Sequence, residues 1–457
     1  MPGVDAGFLY METPTLHMHT IKVAVLDVSS LPAYRFESFK EELVSRMHLL
    51  PPFRRRVVEV PLQLNHPLWV EDHEVDADAH VRRHVLPEGA GMTELEDLVG
   101  EVASTPLARS RPLWEMHVVE GLPEGRIAVV TKMHHAMADG LAANALLSNI
   151  TDAGPGLGSD KPLEPTPPPR ELVLHGLFDA IRQLALVPAL LLRTVRSLLA
   201  VLRLRRSSPV AAPRPVLDTP RTSFNGAITA RRSFATATLP LADLKRVRTA
   251  VPDATLNDVV LAVVAGAMRS WLDARGERPD KSLTAGVPVG TDALSDVVRL
   301  DGNRVSNLFT SLHTDVDDPV ERLARISGTT RAAKKVQGAL GADMLADWSQ
   351  FTPPAPFRAF MRAYSHRNAA DRHPAPFNLV VSNVPGPREP VTFGGARMTE
   401  MFSVGPILEG IALNVTVWSY LDRMHFSMLT CPDNLADVRD LATRLQQALS
   451  ELADSAL

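Results

Sequence analysis

The sequence predicts a layered fold, α/β or α+β, of two domains joined by a long crossover, and three observations carry that prediction. The 457 residues are about twice the size of one compact domain. Proline-rich punctuation breaks both helix and strand periodicity twice, in residues 152–170 and again in 209–220. Both halves show strand-like runs separated by helical patterns, as sheets covered by helices require. The division expected is an N-terminal domain over 1–160, a proline-rich and helical crossover over 161–222, and a C-terminal domain over 223–457.

Composition narrows the functional classes. A hydrophobic share of 45% with 22% charged residues is ordinary for a soluble globular chain, and a formal charge of -4 gives no general attraction to nucleic acid. The one cysteine, Cys431, has no internal disulfide partner, which fits a reducing compartment. Met1-Pro2-Gly3-Val4-Asp5 lacks the basic start and apolar run of a secretory signal, so a cytoplasmic location is expected.

Along the chain, residues 126–133 read as a short buried strand rich in β-branched residues, and 141–150 as the helix that follows. Gly154-Pro155-Gly156-Leu157-Gly158 is a proline-broken linker, not a phosphate loop between a strand and a helix. Residues 172–206 are apolar but carry Arg182, Arg193, Arg196 and Arg203, which fall on one stripe at about 100° per residue. The longest uninterrupted apolar piece there, 184–192, is too short to span a bilayer and contains Pro188. Two alternatives stay open: an amphipathic helix lying on a membrane surface, or a crossover helix packed on the body with its arginines in water. After the second proline cluster a strand-like run covers 233–239 and a helical pattern starts at 242.

The strand at 126–133 ends in His134-His135-Ala136-Met137-Ala138-Asp139-Gly140. Adjacent residues on extended backbone point to opposite sides, so only one of His134 and His135 faces a given cleft. That geometry argues against a shared metal, and no third ligand with suitable spacing is present, so no metal is expected. Asp139 is near enough to orient an imidazole, pair with an arginine or cap the next helix, and Gly140 is expected to permit a tight turn.

The pattern His-His-x-x-x-Asp-Gly after a buried strand resembles the signature of the CoA-dependent acyltransferase superfamily, which includes chloramphenicol acetyltransferase-like enzymes and peptide-synthetase condensation domains. Other segments resemble one branch of it, the bacterial wax ester synthase/acyl-CoA:diacylglycerol acyltransferases. They are Asp5-Ala6-Gly7-Phe8-Leu9-Tyr10-Met11-Glu12, Arg111-Pro112-Leu113-Trp114-Glu115, Leu256-Asn257-Asp258-Val259, Gly302-Asn303-Arg304-Val305-Ser306-Asn307, and Val381-Ser382-Asn383-Val384-Pro385-Gly386-Pro387. Ala108 departs from the aspartate expected in many relatives, which bears on local support of the Pro-Leu-Trp segment.

The resemblance implies an α+β sandwich of two chloramphenicol acetyltransferase-like domains joined by a long helical crossover, with acyl-CoA and an alcohol meeting in a channel between them. It implies long-chain acyl transfer to diacylglycerol or a fatty alcohol, with His135 as general base and His134 and Asp139 in support. Acyl-CoA is then a substrate, and no cofactor is expected. Pro112, Leu113, Trp114, Asn257 and Asp258 are expected to anchor a turn and cap a helix. Asn303, Ser382 and Asn383 are candidates for an oxyanion donor or a substrate contact, as is Asn257. With no Gly-x-Ser-x-Gly elbow and Cys431 far along the chain, direct transfer is preferred over an acyl-enzyme. The rivals are an amide-forming condensation-type enzyme and a non-catalytic lipid-binding relative. Peripheral contact with the inner membrane or a lipid droplet through 172–206 is one of the two alternatives left open for that segment.

Overall fold

The computed structural model describes all residues except 32–33, 72–74, 158–166, 291–298, 342–343 and 457. The expected junction at 160/161, and Gly158 of the linker, lie outside the described residues. Two six-stranded mixed sheets form the frame. The first runs Thr392–Phe393, Ala396–Val404, His19–Asp27, Arg126–His134, Trp114–Leu122, Val81–Val85 in spatial order. The second runs Ser233–Pro240, Arg423–Thr430, Leu413–Tyr420, Leu379–Val384, Thr284–Gly290, Val305–Ser311.

The first sheet is not drawn from residues 1–160 alone. Ala396–Val404, from the C-terminal segment, pairs antiparallel with His19–Asp27 through Ile21–Val404, Val23–Phe402 and Ala24–Met401. A division of the chain at 222 therefore does not divide the sheets. The physical reason is edge satisfaction: without Ala396–Val404 the strand His19–Asp27 would leave a row of unpaired backbone groups.

Period-two alternation sorts the first sheet into two faces. Ile21, Val23 and Val25 pack with Leu95 and Val99 of the helix Met92–Ala103 in the larger core. Lys22, Ala24 and Leu26 face the other way, toward the helix Gly140–Ile150. In the second lobe the helix Leu256–Asp273 is buried along most of its length, and Gly266 lets Ala448 of the helix Val438–Ser455 approach closely.

The crossover is one helix, Pro169–Ser207, 39 residues long and continuous through Pro188. By length and composition the whole helix is long and apolar enough to cross a membrane, although its longest uninterrupted apolar piece, 184–192, is not. It is nevertheless tied to the body: Asn65 donates to Asp179 at 3.0 Å, and Trp348 Nε1 donates to Thr194 at 3.0 Å. Its buried side is narrow, with Leu172 and Leu190 as the buried apolar residues, while Leu177, Ile181, Leu184, Leu191, Val195, Leu198 and Leu202 are exposed.

Candidate active site

The strand Arg126–His134 stops where its two neighbours clamp the motif. The His134 N–H donates to Leu113 O at 2.9 Å, and the His135 N–H donates to Met18 O at 2.8 Å. Alternation then sends the two rings apart, as the sequence predicts. His134 is fully buried, and its Nδ1 accepts from the Ala136 N–H at 3.1 Å. Burial and the Arg109 charge push its pKa well down, so it stays neutral. His135 is half-buried on the opposite face.

Three residues far apart in sequence converge on His135. Its Nδ1 lies 3.0 Å from Asn303 Oδ1, and its ring stacks on Phe8 with centroids 4.3 Å apart. The Asn303 amide nitrogen donates to Asp5 Oδ1 and to the His135 carbonyl, both at 2.8 Å. Both of those partners are pure acceptors, so the NH₂ must face them and the amide oxygen must face the ring. The proton of a neutral His135 therefore sits on Nδ1, and Nε2 carries the free lone pair. Burial lowers the His135 pKa against the raising effects of its hydrogen bonds and of Asp139, which favours that neutral form.

Asn303 reaches this position because Asp139 holds its loop. Asp139 caps the helix Gly140–Ile150 through the Ala142 N–H at 3.0 Å. Its Oδ2 accepts from Arg299 Nη2 at 2.6 Å and from the Arg304 N–H at 2.8 Å, one on each side of Asn303. Backbone bonds Gly302 N–H to Met137 O at 2.8 Å and Asp139 N–H to Gly302 O at 3.1 Å complete the latch. Both carboxylate oxygens of Asp139 are occupied, and neither bonds the imidazole. Asp5 is 1% exposed, and burial raises its pKa to about 6.

Several sequence expectations change here. Gly140 opens the helix just after the turn at 135–137, outside the left-handed region, and a Cβ there would lie 3.1 Å from Val384 Cγ2, a tight contact to which the valine side chain would have to yield. Both N–H groups of the Asn303 side chain are spent on Asp5 and His135, so it has no donor left for an oxyanion. Trp114 is fully buried, donates to Phe53 O at 2.8 Å and stacks on His80, while Leu113 supplies the carbonyl that His134 uses and Pro112 O accepts the Trp114 N–H at 2.9 Å. Asp258 accepts from the Thr255 N–H and hydroxyl, both at 2.8 Å, and caps its helix beside the half-buried Asn257. Ser382 and Asn383 alternate on the strand Leu379–Val384, with Ser382 on the same face as Val384, the residue against Gly140. Ala108 is exposed, and its neighbour Arg109 pairs with Glu12, so an aspartate at 108 would stand at the surface.

Sequence reasoning missed Asp5, Phe8 and Arg299. Asp5 and Phe8 share one face of the helix Gly3–Met11 at a spacing of three, a signal legible in the N-terminal segment. Nothing local marks Arg299.

Beside the motif an apolar cavity of about 90 Å³ opens against the first sheet. Met133, two positions before His135 on the same face, lines it, and Ala143, Leu146, Leu147 and Ile150 of the helix that Asp139 caps form one wall. Its polar side chains are Lys22, Thr131 and Thr151. Among the described residues no group of three or more His, Cys, Asp or Glu could hold a metal ion, and Cys431 is buried in the core of the second lobe.

The wax ester synthase/diacylglycerol acyltransferase catalytic domain matches residues 1–260, and the C-terminal domain of the same name matches 301–453. A Mycobacterium tuberculosis protein with the provisional name diacylglycerol O-acyltransferase is 40% identical over 444 residues, which cover 96% of this chain and 93% of that one. The solved wax ester synthase/diacylglycerol acyltransferase from Marinobacter aquaeolei VT8 is 27% identical, with a TM-score of 0.69 and full coverage of both chains. The starter condensation domain of rhizomide synthetase, solved with C8-CoA, is similar in fold alone: 13% identity, TM-score 0.57, covering 100% of this chain and 94% of that one.

Proposed function

Because the chain belongs to the wax ester synthase/diacylglycerol acyltransferase family, we propose that it moves a long-chain acyl group from acyl-CoA to the hydroxyl of diacylglycerol or a fatty alcohol, with His135 Nε2 as the general base. The observation that carries this reading is the tautomer lock: Asn303, itself oriented by Asp5, keeps the proton on Nδ1.

In the reaction, Nε2 takes the alcohol proton as the oxygen attacks the thioester carbonyl, and a tetrahedral intermediate forms. Collapse breaks the carbon–sulfur bond, and the imidazolium returns the proton to the departing CoA thiolate. Phe8 holds the ring in plane, and the Asn303 oxygen steadies the transient positive charge through Nδ1–H. Asp139 positions the loop and relays no proton. Ser382 is the oxyanion donor favoured here, since its hydroxyl bonds no other described residue and it shares a face with Val384. The apolar cavity beside the motif suits the hydrocarbon chains of the lipid substrates.

The location favoured is the cytoplasm, in peripheral contact with a membrane or lipid droplet. The exposed apolar residues from Leu177 to Leu202 and the stripe Arg182, Arg193, Arg196 and Arg203 support that contact, because an apolar face beside cations suits an anionic lipid surface. Flotation with anionic vesicles, compared between wild type and a Leu184→Ser/Leu191→Ser/Leu198→Ser variant, tests it; equal flotation would remove the proposal.

The function is tested by CoA release from palmitoyl-CoA with hexadecanol, diacylglycerol or an amine as acceptor, beside His135→Ala. The variant should lose on the order of 10²–10⁴ in turnover while keeping its fold. Amide product would favour a condensation-type enzyme, and lipid binding without turnover a non-catalytic relative.

A further inference from the structure

Lys22 is 6% exposed and lines the cavity, yet among the described residues it has no carboxylate partner. Buried ammonium groups are rarely left without an anion, because desolvation of the charge is then uncompensated. Its neighbours are Ser403 Oγ, which accepts from Nζ at 3.1 Å, and the Trp418 ring, whose centroid lies 4.4 Å from Nζ. An ammonium has three donors and an amine two. With one N–H on Ser403, the ammonium keeps two and the neutral amine one for the ring or for a ligand, in a cavity whose other walls are almost wholly apolar.

The position of this group along the sheet says what it meets. Lys22 pairs with Thr131, and His135 lies four residues further on, about 13 Å along the strand direction. His135 and Lys22 are on the same face, and the Lys22 charge is felt at His135 and at Asp139. The oxyanion of the reacting thioester must form next to Nε2, so a donor set back along the strand is suited to a different oxygen, further along the acceptor. Diacylglycerol carries such oxygens in its two ester carbonyls. A fatty alcohol has only methylenes at that distance.

Resting on the acyl-transfer function above, we propose that Lys22 Nζ donates a hydrogen bond to an ester carbonyl of the diacylglycerol acceptor and so selects glyceride over fatty alcohol. Burial lowers the Lys22 pKa to about 7, so both its charged and neutral forms are present near neutral pH, and either form donates. A neutral carbonyl suits such a group, because it satisfies the donor without requiring a second buried charge. With a fatty alcohol bound, the same N–H is left in an apolar cavity without an acceptor, and that unmade bond disfavours the wrong acceptor.

The test compares wild type with Lys22→Met, which keeps the stem and removes the donor, and with Lys22→Gln, which keeps a donor, using dioctanoylglycerol and hexadecanol with palmitoyl-CoA. The ratio of kcat/KM for dioctanoylglycerol over hexadecanol should fall roughly tenfold to a hundredfold in Lys22→Met and less in Lys22→Gln. An unchanged ratio, including an equal loss with both acceptors, overturns the proposal and points to an oxyanion or purely structural role. Calorimetric binding of dioctanoylglycerol to the CoA-free protein is the second readout. Should wild type form no ester with either alcohol, the acyl-transfer function falls, while binding still decides the role of Lys22: weaker binding in Lys22→Met supports it, equal binding rejects it.

Discussion

Asn303 Oδ1 lies 3.0 Å from His135 Nδ1, across 168 positions of sequence, and the Asn303 amide can face only one way because Asp5 and the His135 carbonyl both demand its N–H groups. The orientation of the His135 ring is thus set by an asparagine on a loop that Asp139 pins from both sides. Replacing Asn303 by leucine should lower kcat by roughly tenfold to a hundredfold, as for other orienting partners of functional histidines, with the fold retained by circular dichroism. Wild-type turnover in Asn303→Leu would show that the tautomer needs no such lock.

The pH dependence of kcat/KM follows from the lowered His135 pKa. The base acts when neutral, so activity should be lost as pH falls through a midpoint below the ordinary histidine value of about 6.5, and be flat above it. Asn303→Asp places a carboxylate at Nδ1, which favours the imidazolium and should move that acid limb to higher pH. A wild-type midpoint above the ordinary value would contradict the desolvated site.

Asp5 should tax stability while serving the site. Its folded pKa of about 6 stands above the unfolded 3.8, so the folded state holds the proton better between those values and stability falls as pH rises through that window. Asp5→Asn removes the ionisation, and at pH 8 the variant should gain up to about 2–3 kcal/mol over wild type, with a smaller gain at pH 5. Thermal melts at the two pH values measure the difference, and kcat should drop because Asn303 loses its anionic anchor. A larger gain at pH 5 than at pH 8 would reverse the assignment.

Arg299 bonds Asp139 at 2.6 Å and the Asp301 and Gly302 carbonyls at 2.5 Å each. Arg299→Ala leaves Asp139 with less compensation in a buried setting and should cost about 2–4 kcal/mol by denaturant unfolding. Arg299→Lys should recover part of that stability but little kcat, because one ammonium cannot span the carboxylate and both carbonyls. Full kcat in either variant would separate the latch from catalysis.

The sequence by itself determined what depends on neighbours in the chain. The strand read at 126–133, the opposed directions of His134 and His135, the helix after Asp139 and the capping role of Asp258 follow from periodicity and cap chemistry. The proline-flanked crossover was equally visible, although its single 39-residue helix running through Pro188 was not. Tertiary structure alone decided that the Asn303 side chain faces the His135 ring, that Asp5 and Phe8 reach His135, that Lys22 is buried with no carboxylate partner among the described residues, and that Ala396–Val404 completes the first sheet. Those facts depend on strand register and loop closure between segments more than a hundred residues apart. Local propensity carries no record of which distant backbone will supply the missing hydrogen bond, and only packing of the whole chain selects it.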